Sequence, residues 1–315
     1  MTRFSFIKTT AVGLICTSAA FASPSYSPHK YQQNDWFGEF GSNNTAMYVN
    51  PAGIAETDQI ELSIGYFSTI SGEASQEYGS LTIPFGYNHT LGISFFENGA
   101  SVDGGYSYTE NAYMIGYAYR LMHCLALGVD LSILQINQFD MNKQLTMGAD
   151  IGIAWNPISN SRFGSLTVGV AFQNALAPAI STEEKNTSYH FVFMGADESY
   201  KVPSNLNFSL FYRGFNRLLE AKAELSIIDV LHDDDEGGDG MNLETSFTLT
   251  YYLSSHLGVR LRFTKEGYPV LGATVNVKDV TIFRYLALDL EMSHDDIVEK
   301  KNRGFIWAVK LTSRF

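Results

Sequence analysis

Cysteine, charge and long apolar runs are all scarce in this chain. Its 315 residues include only two cysteines, Cys16 and Cys124. The first falls in an apolar leader, so no intramolecular disulfide can brace the mature chain. Charged residues make up 17% of the whole, and no apolar run of 18 residues follows the N-terminus, which excludes a membrane-spanning helix. Basic residues are outnumbered, 21 Lys and Arg against 33 Asp and Glu, and a net charge of −12 argues against nucleic acid as a partner. Catalytic signatures are missing too. There is no Gly-x-Ser-x-Gly, no His-Glu-x-x-His, no glycine-rich phosphate loop and no cysteine pair, and the seven histidines are scattered. The expectation is a protein that is not an enzyme, with no cofactor and no metal cluster.

Aromatic residues, by contrast, reach 14% (22 Phe, 18 Tyr, 3 Trp). Residues 1–22 read as a cleaved signal peptide: Arg3 and Lys8 form a positive start, Thr10 to Ala19 an apolar stretch, and Ala20-Phe21-Ala22 a small-x-small cleavage site. Ile15 precedes Cys16 where a lipid-attachment site needs a small residue. The mature chain then carries 21 − 2 = 19 basic residues against 33 acidic, a net of −14.

From residue 60 onward, apolar and polar residues alternate in segment after segment, the period of a strand with one apolar face. Ile60, Leu62, Ile64 and Tyr66 open the series, and Tyr78 to Phe85 follow. Leu91 to Phe95, Tyr113 to Tyr119, Leu125 to Ile133, Leu145 to Trp155 and Ser165 to Gln173 continue it. The second half adds Leu206 to Tyr212, Leu219 to Ile227, Leu243 to Tyr251, Leu257 to Phe263, Leu271 to Val277 and Leu286 to Leu290. The last segment runs from Gly304 to Phe315, making fourteen.

Connections after even-numbered segments are short, as at Gly86 to His89 and Arg120 to His123. Those after odd-numbered segments are longer and polar: Asn98 to Asn111, Asn174 to Pro203, His232 to Gly240 and Ser293 to Arg303. A soluble β-sandwich would also alternate along each strand, but it has no reason to sort its connections by parity. The expected fold is all-β: a fourteen-stranded antiparallel transmembrane barrel, apolar face outward, with both termini at the short-turn rim. Eight strands fill a barrel with side chains and ~16–18 leave a water channel, so fourteen leave a lumen that needs an occupant. The stretch 23–59, ahead of the barrel at 60–315, is the expected plug.

A terminal strand carrying Trp307, Val309 and Leu311 and ending on Phe315 resembles the C-terminal assembly signal of bacterial outer-membrane barrels. Just before the first strand stands Asn43-Asn44-Thr45-Ala46-Met47-Tyr48-Val49-Asn50-Pro51-Ala52-Gly53-Ile54-Ala55. This segment resembles the N-terminal hatch of the FadL/PorV-like outer-membrane proteins, in which an Asn-Pro-Ala segment lies inside the barrel. The resemblance implies a Gram-negative outer-membrane location with both termini periplasmic. It further implies passive, porin-like passage of hydrophobic small molecules through a hatch-gated lumen, as in FadL-type members. The alternatives are binding of secreted proteins, as in PorV-type members of the type IX secretion system, and a structural barrel with no cargo. Partners would be outer-membrane lipid and lipopolysaccharide, the barrel-assembly machinery, and either a hydrophobic ligand or a secreted protein.

The hatch residues are expected to be Asn44, Asn50, Pro51, Ala52 and Gly53, with an asparagine at 43 or 44 capping one helical turn that Pro51 and Gly53 stop. The longest connection, 174–203, contains the apolar run Tyr189, Phe191, Phe193 and Met194, a candidate ligand or partner surface at the outer mouth. The acidic run at His232 to Gly240 imitates a calcium loop. An EF-hand starting at Asp235 would need a bidentate glutamate at position 246, which is a serine, so a solvated acidic loop is expected instead.

Overall fold

In a computed structural model the chain is described over residues 44–69, 74–102, 106–138, 144–161, 163–176, 179–181, 199–201, 204–216, 218–228, 230, 242–264, 269–278, 285–295 and 304–315. Residues 1–43, the run at 189–194 and the acidic segment 232–240 lie outside the described residues.

Sixteen strands are described. In chain order they are β1 (Glu61–Thr69), β2 (Ala74–Phe85), β3 (His89–Val102), β4 (Tyr106–Met122), β5 (Leu125–Gln138), β6 (Gln144–Ser161), β7 (Gly164–Gln173) and β8 (Ala179–Ser181). Then follow β9 (Ser199–Lys201), β10 (Asn205–Gly214), β11 (Leu219–Ile228), β12 (Asn242–Tyr252), β13 (Leu257–Thr264), β14 (Pro269–Lys278), β15 (Tyr285–Asp295) and β16 (Gly304–Arg314). All but β8 and β9 join one closed antiparallel barrel of fourteen strands; β8 and β9 pair with each other inside the 174–203 connection. Closure comes from β1 against β16, in register from Glu61↔Arg314 to Thr69↔Ile306. The Phe315 N–H extends that seam by donating to Ile60 O at 3.0 Å. A closed sheet has no edge, which is what lets strands cross a membrane with every backbone group paired.

The period-two pattern sorts the chemistry by face. Outward residues of β4 to β6 include Ile115, Val129, Leu131 and Ile151, and Leu131 is 51% exposed. Its neighbour Asp130 faces the lumen and is 1% exposed. Leu225, Leu249, Leu261 and Leu311 share the register and partial exposure of that outer face. Near the short-turn rim the outer face carries aromatics, among them Phe85 stacked on His89 at 5.5 Å and His89 Nδ1 2.6 Å from Tyr117 OH. Such a girdle belongs at a membrane–water boundary.

One connection differs from expectation. Asn98 to Asn111 is not a long loop: β3 runs to Val102 and β4 starts at Tyr106, with Asn98 opposite Glu110 in register. Asn98 and Glu110, which suggest a loop, are instead lumen-facing, and Gln76 Nε2 donates to Asn98 Oδ1 at 2.7 Å.

Candidate functional site

Residues 44–56 enter the barrel as two 3-10 turns, Asn44–Tyr48 and Pro51–Glu56. The second begins where a single turn was expected to stop. Asn50 is its N-cap, accepting from Ala52 N at 3.0 Å, and Pro51 occupies the first turn, where its missing N–H has no partner to lose. Gly53 lies inside that turn, and Pro51, Ala52, Gly53, Ile54 and Ala55 are all buried.

The wall that receives these turns is made of small residues. On the lumen face Gly92 stands opposite Gly116, and Gly128 opposite Gly152, with Ala118, Ala126 and Ala154 beside them. A Cβ on Gly116 would sit 2.5 Å from Met47 Sδ, and one on Gly92 2.7 Å from the same sulfur. A Cβ on Gly128 would sit 2.6 Å from Ala52 Cα, and closer still to the Pro51 carbonyl carbon and Ala52 N. On Gly152 it would meet Asn50. The inserted segment is therefore in backbone-to-backbone contact with β5, which only glycine permits. Each of these glycines stands between apolar residues, as in Leu91-Gly92-Ile93 and Leu127-Gly128-Val129. That is a sequence signal for a lumen position without a side chain.

Hydrogen bonds lock the contact. Asn50 Nδ2 donates to Ile153 O at 3.0 Å and Val170 O at 3.2 Å, so one side chain clips the segment to β6 and β7. Gln173 Nε2 donates to Tyr48 O at 2.7 Å, and Arg120 donates to Ala55 O. Tyr48 OH lies 2.9 Å from Phe95 O and 3.1 Å from Gly79 O. Burial raises the Tyr48 phenol above its usual pKa, which keeps it a neutral donor. Met47, Ala52, Ile54 and Ala55 complete an apolar core with the wall alanines, flanked by Val49, Met114 and Phe211.

Two rows from the glycines, toward the long-connection rim, the lumen face turns apolar. Tyr78, Phe96, Ala112 and Leu134 stand opposite one another across β2 to β5, all buried. Tyr48 covers one end of this row, with ring centroids 5.8 Å from both Tyr78 and Phe96. Elsewhere the lumen wall carries charged groups. Lys222 and Glu224 pair at 2.7 Å, Arg213 and Glu220 at 2.7 Å, and Arg314 and Glu61 at 2.5 Å. Arg260 Nε donates to Thr250 Oγ1 at 3.3 Å, and Arg262 is 1% exposed.

Of the C-terminal residues, Val309 and Leu311 are half-buried on the outer face of β16, Trp307 lies on the same strand, and Phe315 is 42% exposed at the rim. Val309 and Leu311 form one stripe on the face turned away from the lumen.

No protein-family model matches the chain, and no curated protein matches it. Solved structures do. The Ralstonia pickettii toluene transporter TbuX aligns at TM-score 0.54 and 13% identity, covering 89% of this chain and 96% of its own. The P. putida toluene transporter TodX aligns at 0.58 and 11%, covering 87% and 94%. A Pseudomonas aeruginosa FadL homologue aligns at 0.57 and 11%, covering 94% and 99%. The chain thus has the fold of FadL-type channels over nearly its full length.

Proposed function

We propose that this chain is an outer-membrane barrel that binds hydrophobic small molecules and passes them passively through a lumen gated by the 44–56 segment. The rim carrying both termini would face the periplasm, and Asn50, Pro51, Ala52 and Gly53 would form the hinge of the gate. The observation that carries this reading is the apolar row Tyr78, Phe96, Ala112 and Leu134 beside the inserted segment, since an apolar ledge has no use in a pore for polar solutes. The shared fold with toluene transporters supports the same substrate class. Phe315 and the stripe behind it would serve insertion by the barrel-assembly machinery rather than transport.

Uptake of radiolabelled toluene by Gram-negative cells lacking their own hydrophobic-compound channel tests the proposal. Expression of this chain should raise the initial rate several-fold, and an unchanged rate would refute it. A second reading, binding of a secreted protein as in PorV-type barrels, draws on the charged pairs elsewhere on the lumen wall. Native mass spectrometry of the barrel from its own membrane separates the two: a retained small apolar molecule favours transport, a retained protein favours secretion.

A further inference from the structure

Between the apolar row and the glycine shelf the lumen face of β5 and β6 carries two acids side by side. Asp130 stands opposite Asp150 in register, 1% and 5% exposed. Directly opposed side chains in such a ladder have Cβ atoms roughly 5 Å apart. Neither oxygen of Asp130 has a hydrogen-bond partner among the described residues. Asp150 Oδ1 accepts from Asn174 N at 2.7 Å. The adjacent lumen pair is Ser132 and Gly148. A Cβ on Gly148 would lie 2.6 Å from Ser132 Oγ and 2.9 Å from Asn174 Oδ1, so both neutral oxygens crowd the notch left by the glycine. Asn174 reaches it through a left-handed backbone, φ 51°, at the end of β7. Two buried like charges repel, and an unpartnered carboxylate away from water is strongly disfavoured unless something positive joins it.

We propose that Asp130, Asp150, Ser132 Oγ and Asn174 Oδ1 form a site for one hard divalent cation of the calcium class. All the donors are oxygens, as calcium prefers, and its flexible coordination at ~2.4 Å suits irregular ligands on two strands and a turn. The two carboxylates balance its charge. The site also touches the plug: Gly116, opposite Asp130 on β4, lies under Met47, and Gln173 beside Asn174 holds Tyr48 O. A bound cation would pin β5, β6 and the end of β7, the three strands on which Asn50 and Ala52 rest. This site does not depend on what the lumen carries.

The test uses the full-length barrel, refolded in detergent and stripped with chelator. Equilibrium dialysis against radioactive calcium should give one tightly bound ion per barrel. Calcium at ~100-fold its dissociation constant should raise the temperature at which folded gel mobility is lost by roughly 5 °C. Asp130→Asn should fold, since it removes a buried charge, and should lose both bound ion and shift; Asp150→Asn should do the same if Asp130→Asn does not fold. Neutralising Asp233, Asp234 and Asp235 together should leave both intact. The proposal is overturned if the wild-type barrel binds no calcium, if binding survives the Asp130 and Asp150 variants, or if it is lost with the 233–235 variant. It is equally overturned if acidification alone raises heat resistance while calcium does nothing, because the pair then shares a proton.

Discussion

Gly128→Ala should lift the plug while leaving the barrel folded. The added methyl would stand 2.6 Å from Ala52 Cα and nearer to the Pro51–Ala52 peptide, so no side-chain rotation relieves the overlap. Restoring an ordinary carbon–carbon separation of ~3.5 Å moves the segment by roughly 1 Å. That carries the two Asn50 hydrogen bonds, at 3.0 and 3.2 Å, out of range, and with them the Arg120 bond to Ala55 O. At about 1 kcal/mol per bond the docked state loses about 3 kcal/mol, a shift of roughly a hundred-fold in the ratio of docked to lifted. The assay places a reporter at Ala46, fully buried, as Ala46→Cys in a Cys124→Ser background, because Cys124 is a free thiol. Maleimide labelling of the folded barrel should speed up about a hundred-fold in Gly128→Ala. Gly79→Ala is the control, since nothing lies within 4 Å of its added Cβ. Equal labelling rates in the two variants would refute the close-contact reasoning.

Two further substitutions probe the two faces of the wall. Val129→Arg puts a charge on the outer face, where Val129 is 49% exposed, and should cost about 2–4 kcal/mol in a lipid-inserted barrel. A denaturant midpoint that does not fall in lipid vesicles would mean that this face does not meet lipid. Phe96→Ala removes the largest purely hydrocarbon side chain of the apolar row, and at ~1.5–3 kcal/mol per buried side chain it should weaken binding of an apolar fluorescent probe ten- to a hundred-fold. Intact folded gel mobility in that variant separates lost binding from lost structure, and unchanged binding would place the ligand elsewhere.

The strands were legible because a sheet with lipid on one side and a packed lumen on the other must alternate. All fourteen barrel strands fall on alternating segments, and their ends differ from the pattern mostly by a few residues. The ends fail where polar residues turn inward. Gln76 and Asn98 look like loop residues because their hydrogen bond joins neighbouring strands on the lumen face, which no local pattern records. The plug shows a similar limit. Asn50-Pro51-Ala52 marks a turn, yet Asn50's partners, Ile153 and Val170, lie more than a hundred positions away. Asp130 and Asp150 are twenty positions apart on separate strands, a spacing that matches no ligand motif, and only the β5–β6 register brings them together.

The division of the lumen into a small-residue wall and a charged wall follows from what each must contact. A peptide segment seated against a sheet must satisfy its own N–H and C=O groups, and it can do so only if the wall backbone is within hydrogen-bond reach. Glycine and alanine on β3 to β7 allow that approach, and Asn50 then bonds directly to wall carbonyls. Long charged side chains at the glycine positions would hold the segment off and bury their own charge beneath it. On β11 to β13, Lys222, Glu224, Arg260 and Arg262 reach inward and pair or bond with neighbouring side chains. Moving one lysine from the charged wall onto the shelf, as Gly128→Lys, combines steric overlap with an unpaired buried cation. It should expel the plug outright, making Ala46→Cys in that barrel label as fast as an exposed thiol. If labelling stayed slow, the segment would not be held by the shelf at all, and the case for a glycine-gated lumen would fall with it.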